Sequence, residues 1–211
     1  MPNLLRIDTS ARMFGSHTSG IADAAQDAWL VANPSGRVVT RHIGETPVPA
    51  LTEDTVAGFF TDPSLRNTEQ TEAIALSDAL IAELFAADML LLTAPIYNFS
   101  VPGTLKCWID QVTRVGETFG MDANGFHGLL KNKRAVVICA YGADGYLPSG
   151  PYAAANFLEP YLQFILRFIG IDDVQVVSVQ GTSGPDTSAN VSAAIDTARG
   201  VMQTMGQTDA A

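Results

Sequence analysis

The stretch DMLLLTA, residues 88–94, constrains this chain more than any other. Its leucines run on without polar alternation, so a strand here must be covered on both faces. Such a strand belongs inside a parallel sheet, and parallel neighbours need long, usually helical, crossovers. The flanking sequence supplies both kinds of element. NLLRID (3–8), RVVTRHI (37–43), RAVVICAY (134–141) and DVQVVSVQ (173–180) predict the first, second, fourth and fifth strands around it. A helix is expected over 18–32, where Ile21, Ala24, Ala25, Ala28 and Trp29 recur at helical spacing. Asn33, Pro34 and Gly36 stop it. A second follows a cap at Asn67 or Thr68, with Glu69 and Glu72 at its positive end. Ile74, Leu76, Leu80, Ile81, Leu84 and Phe85 line one side of it, and it ends near Ala87. Further helices are expected over 104–115, over 151–170 with a bend at Pro160, and over 188–205. Residues 44–66 read as irregular, with room for one helical turn, and Asn124-Gly125 as a hairpin-like tip. The fold class is α/β: one domain over 1–211, a five-stranded parallel sheet with helices on both faces.

The chain has 211 residues, 47% of them apolar and 16% charged, enough to bury a sizeable core. Its net charge of −10, with no basic cluster, argues against nucleic acid or an anionic membrane as partner. No run reaches the ~18 apolar residues a spanning helix needs, and the N-terminus carries no secretory pattern. A cytoplasmic location is expected. Cys107 and Cys139 share no C-x-x-C spacing and read as buried reduced thiols. His17, His42 and His127 form no i, i+3 or i, i+4 pair, so no metal site is expected.

Open parallel sheets bind ligands beyond the carboxyl ends of their strands, where strand order reverses. The loops after the first, third and fourth strands are therefore the ones to read for chemistry. The first, TSARMFGSHTSG (9–20), is rich in hydroxyls and opens a helix. Its amides and hydroxyls suit an anion, and equally suit plain helix capping. No P-loop, G-x-G-x-x-G or G-x-S-x-G pattern is present. The second, APIYNFSVP (94–102), places Tyr97 and Phe99 where burial by the sheet has ended, on a path stiffened by Pro95 and Pro102. Its rings either fold back on the following helix or wall a planar apolar ligand, with Asn98 as a polar anchor. The third, YGADGYLPSGP (141–151), has glycines at 142, 145 and 150 that permit close backbone approach, or simply flexibility. Together the three loops favour a planar cofactor bearing a phosphate; FMN fits that description, though other aromatic phosphates fit it too.

The strand followed by TS and GSHTS, and the segment APIYNFSVPGTLKCWIDQVTRVGETF (94–119), resemble the FMN-dependent NADH-azoreductases, which also reduce quinones. The resemblance runs nearly end to end and includes EAIALSDALIAEL (72–84) and LRFIGIDDV (166–174). It implies a flavodoxin-like fold with strand order 2-1-3-4-5. Ser10, Ser16, His17 and Thr18 match the positions that hold the FMN phosphate. Pro95, Ile96, Tyr97, Asn98 and Phe99 match the segment along the isoalloxazine, with Ile96 where the family commonly has Met. The third loop departs from the family's Ser-x-Gly-Gly, with Ala140 in place of the serine, and leaves Tyr141 and Gly142 as contacts. The resemblance further implies a homodimer whose partner subunit completes each site, with Phe119 and Phe126 as pocket or interface residues. The expected activity is hydride transfer from NADH or NADPH through FMN to quinones and aromatic azo compounds, by a ping-pong route. The chemistry is borne by the flavin, so no catalytic side chain is expected. An electron-carrying flavodoxin or a flavin reductase of the same fold is the alternative.

Overall fold

The structure is a computed structural model and describes residues 1–206. Five strands form one parallel sheet: β1 (Asn3–Asp8), β2 (Arg37–His42), β3 (Met89–Pro95), β6 (Arg134–Ala140) and β7 (Asp173–Val179). They lie in the order β2-β1-β3-β6-β7, which in sheet-strand numbering is 2-1-3-4-5. A separate antiparallel hairpin joins β4 (Phe119–Asp122) to β5 (Gly125–Gly128). Its tip falls at Ala123-Asn124, with Gly125 at a φ of 104°.

β3 alternates between two cores, which is why its sequence shows no polar face. Met89 and Leu91 pack with α1 (His17–Ala32) and α6 (Thr187–Met205) through Ile21, Ala25, Trp29, Ala198 and Met202. Leu90 and Leu92 face the opposite layer of α3 (Thr68–Ala86), α4 (Gly103–Val112) and α5 (Glu159–Phe168), through Leu80, Leu84, Trp108, Ile109 and Leu162. No helix among the described residues is long and apolar enough to cross a membrane.

Two expectations are corrected. The long helix over 151–170 begins only at Glu159. The Asn156 side chain accepts hydrogen bonds from the amides of Leu158 and Glu159, both at 3.2 Å, and so closes off the preceding segment. That segment folds into turns and a short 3₁₀ piece, Ala153–Ala155. Pro160 thus falls in the first helical turn, where its missing N–H costs nothing, and bends no helix. The stretch 44–66, read as irregular, carries α2 (Glu53–Phe60). Thr52 and Thr55 cap it reciprocally, and Glu53 and Asp54 sit at its positive end.

Candidate functional site

One cleft of about 160 Å³ opens at the carboxyl ends of the central strands. Ser10, Arg12, Ser16, His17 and Thr18 line it from the loop after β1, and Pro95, Ile96 and Tyr97 from the loop after β3. Ala140 and Gly142 contribute from the end of β6, and Thr182 and Ser183 from the loop after β7.

The first loop is fixed from below. Thr9 donates through its hydroxyl to the Thr93 carbonyl at 2.7 Å, and its amide donates to Thr93 Oγ1 at 3.1 Å. Behind it, the turn after β2 comes so close that a Cβ on Gly44 would lie 1.9 Å from the Ser10 carbonyl oxygen, so only glycine fits there. Ser16 caps α1, its Oγ accepting from the Ser19 amide at 3.3 Å and sharing a hydrogen bond of 3.1 Å with Thr18 Oγ1. The amides of His17 and Thr18 open the helix and have no carbonyl one turn back. With Arg12 lining the same cleft, these donors have the chemistry that suits an anion. His17 is half-buried against the cleft.

Under α1 lies a buried ion pair. The Arg6 guanidinium reaches Asp8 at 2.8 Å and Asp23 at 2.7 Å, and donates to the Ser19 carbonyl in the first turn of α1. These partners hold its pKa above the ordinary value despite burial, which acts the other way. Asp8 Oδ1 is buried without a hydrogen-bond partner among the described residues.

The loop after β3 is a tight hairpin. The Tyr97 amide donates to the Ser100 carbonyl at 3.0 Å, and the Ser100 amide returns the bond to Tyr97 at 3.2 Å. Asn98 and Phe99 between them have φ values of 48° and 73°, the pattern of a type I′ turn. Asparagine tolerates that region, but phenylalanine is strained in it. The turn is held from outside by the Phe157 amide, which donates to the Phe99 carbonyl at 3.0 Å. Tyr97 spans the cleft, its hydroxyl accepting from the Ala11 amide at 3.2 Å. Phe99 is exposed and tilts against Tyr146, with ring centroids 6.4 Å apart.

Sequence-derived candidates fall into three places. Ser10, Ser16, His17, Thr18, Pro95, Ile96, Tyr97 and Gly142 line the cleft, while Asn98 and Phe99 form the hairpin tip beside it. Tyr141 points the other way. Its ring is fully buried and stacks on Tyr146, and its hydroxyl donates toward Asn156 Oδ1 at 3.3 Å and Glu159 Oε2 at 3.4 Å. Burial pushes this phenol, and the buried Cys139 thiol beside it, to higher pKa. Phe119 and Phe126 lie outside the cleft of their own chain. They pack on Phe168, with centroids 4.7 and 5.7 Å away, at the opposite end of α5 from Glu159. Thr182 and Ser183 fall outside the sequence-derived set, whereas Arg12 is the one formal positive charge of its loop. Neither cysteine forms a disulfide, and Cys107 is only half-buried on α4. No cluster of three or more metal-ligating side chains occurs among the described residues.

The donor set fits FMN on structural grounds. The hydroxyls, opening amides and Arg12 suit a phosphate, and the aromatic and aliphatic wall of Ile96 and Tyr97 suits a planar ring. Gly142 leaves its side of the cleft open, since a Cβ there would come within 3.2 Å of Ser183 Oγ.

The family model described as "Flavodoxin-like fold" matches residues 2–201. An FMN-dependent NADH:quinone oxidoreductase of Xanthobacter autotrophicus is 46% identical over 83% of this chain and 85% of its own. One of Hydrogenovibrio crunogenus is 44% identical over 91% of this chain and 94% of its own. Among solved structures, an FMN-dependent NADH-azoreductase from Bacillus anthracis in complex with FMN superposes with a TM-score of 0.89. It covers 98% of this chain and 100% of its own, at 20% identity, and so speaks for the fold alone. By sequence and by fold, the chain belongs to the flavodoxin-like fold family, among the FMN-dependent NADH:quinone oxidoreductases.

Proposed function

We propose that residues 1–211 act as one FMN-binding domain, an oxidoreductase that transfers hydride from NADH or NADPH to quinones and aromatic azo compounds. The observation that carries this is a single cleft in which a hydroxyl-rich helix N-terminus faces an aromatic hairpin. Bound FMN would supply the redox chemistry, alternating between donor and acceptor in a ping-pong cycle. The chain's own groups bind and orient. Ser10, Ser16, Thr18 and the opening amides of α1 hold the phosphate, with Arg12 adding charge. Pro95, Ile96 and Tyr97 exclude water along the ring, and the Tyr97 hydroxyl keeps the two loops in register through the Ala11 amide. Asn98 and Phe99 form the rim where donor and acceptor enter in turn.

The working unit on this reading is a homodimer. Phe126, Phe157, Phe164 and Met121 are each at least 60% exposed, a surface of a kind usually covered by a partner. Phe119 and Phe126, on the β4–β5 hairpin packed against Phe168 at the far end of α5, would then wall the partner's cleft. The free cysteines suit the cytoplasm. The deciding experiment is steady-state kinetics of the FMN-loaded protein with each nicotinamide, against menadione and a panel of azo compounds. Parallel double-reciprocal lines are expected. A protein that binds FMN yet oxidises neither NADH nor NADPH with menadione is an electron carrier instead. Light scattering should give twice the 22.4 kDa chain mass.

A further inference from the structure

The wall of the cleft built by β6 has no polar side chain of its own, because Ala140 and Gly142 supply none. The loop after β7 is laid across it. The Thr182 amide and hydroxyl both donate to the Tyr141 carbonyl at 3.0 Å, and the Ser183 amide donates to the Gly142 carbonyl at 3.0 Å. Thr182 therefore spends its hydroxyl proton on the backbone. Ser183 does not: its hydroxyl lies at the lip of the cleft and has no hydrogen-bond partner among the described residues. Gly142 makes the space it occupies, since a Cβ on residue 142 would stand 3.2 Å from Ser183 Oγ but an ordinary 3.9 Å from Ser183 Cβ.

We propose that Ser183 is a cofactor-binding residue whose hydroxyl donates a hydrogen bond to FMN in this cleft, a side-chain bond that Ala140 and Gly142 cannot make. This rests on FMN being the occupant. It assigns the loop after the last strand a direct part in holding the cofactor, and it gives Gly142 a role other than contact: it keeps that hydroxyl aimed into the cleft.

The test is the FMN dissociation constant, read from quenching of flavin fluorescence, for the wild type, Ser183→Ala, Gly142→Ala and the double variant. Ser183→Ala keeps the backbone bond to Gly142 and loses only the hydroxyl, so it should bind FMN about 3- to 10-fold more weakly. Gly142→Ala crowds the hydroxyl and should weaken binding similarly. The double variant should be no weaker than either single one, because with the hydroxyl gone nothing remains to crowd. Unchanged affinity for Ser183→Ala overturns the assignment and leaves the FMN site standing. A double variant whose loss is the product of the two singles overturns the role given to Gly142. A wild-type protein that binds no FMN overturns the proposal together with the reading it rests on.

Discussion

The hairpin at Tyr97–Ser100 makes a prediction whose sign runs against ordinary substitution experience. Phe99 sits at a φ of 73°, in the left-handed region. For a residue with a Cβ that region costs ~1–2 kcal/mol, whereas glycine enters it freely. Glycine carries a counter-cost of about 0.5–1 kcal/mol in extra unfolded-chain freedom. Phe99→Gly and Phe99→Ala both remove the ring, so the difference between them isolates the backbone. Subtracting the two effects leaves the glycine variant more stable by roughly 0.5–1 kcal/mol. At this chain length that is about 2 °C in melting temperature. Urea denaturation of the cofactor-free protein reads the difference, with Trp29 and Trp108, each 2% exposed, as fluorescence probes. At an ordinary strand or helix position the order would reverse. An alanine variant equal to or more stable than the glycine variant would therefore refute the turn geometry and the strain assigned to it.

Four further outcomes are expected. Tyr97→Phe removes the acceptor of the Ala11 amide and should loosen FMN retention about 3- to 10-fold in equilibrium dialysis, with little change in apoprotein stability because the amide can turn to water. Ser16→Ala deletes the cap of α1 and should cost about 1 kcal/mol in denaturant unfolding and weaken FMN binding as well. Arg6→Met takes from the buried Asp8 carboxylate its closest cationic partner, leaving only His42 Nδ1 at 3.4 Å, and should destabilise by ~3–5 kcal/mol in denaturant unfolding. Burial raises Tyr141 and Cys139 above their ordinary values of 10.0 and 9.0, so the stability they contribute is present below those values. It should fall as pH climbs past 9, and less steeply in Tyr141→Phe.

Much of this architecture could be read from residue order, for identifiable reasons. The unbroken apolar run of β3 has one physical solution, a strand between two cores, and Leu90 and Leu91 face opposite ones. The hydroxyl loop opening α1 is local chemistry and needed no tertiary information. Other features depended on side-chain competition that spacing does not record. Ala153–Ala155 has helix-forming composition, yet the Asn156 side chain claims the amides that a continuous helix would use. The inward turn of Tyr141 follows from strand alternation with Val137 and Cys139, which share its core, and could have been anticipated. Thr182 and Ser183 follow the edge strand β7, away from the strand-order reversal where such sheets usually bind ligands, so residue order alone does not single them out. The I′ turn at Asn98-Phe99 was the least legible, since phenylalanine is a poor signal for a positive φ.

The floor of the cleft is stitched crosswise, each strand end tied to its neighbour: Thr9 to Thr93, Ile96 to Ala140, Tyr141 to Val179, Ser183 to Gly142. Most of these ties run through main-chain atoms, which side-chain replacement does not cut. Drift in the amino acids displayed there can therefore retune what is held without dismantling the holder. The hairpin tip and the β4–β5 arm stand outside this lacing, so replacements there alter what the surface displays without loosening the floor.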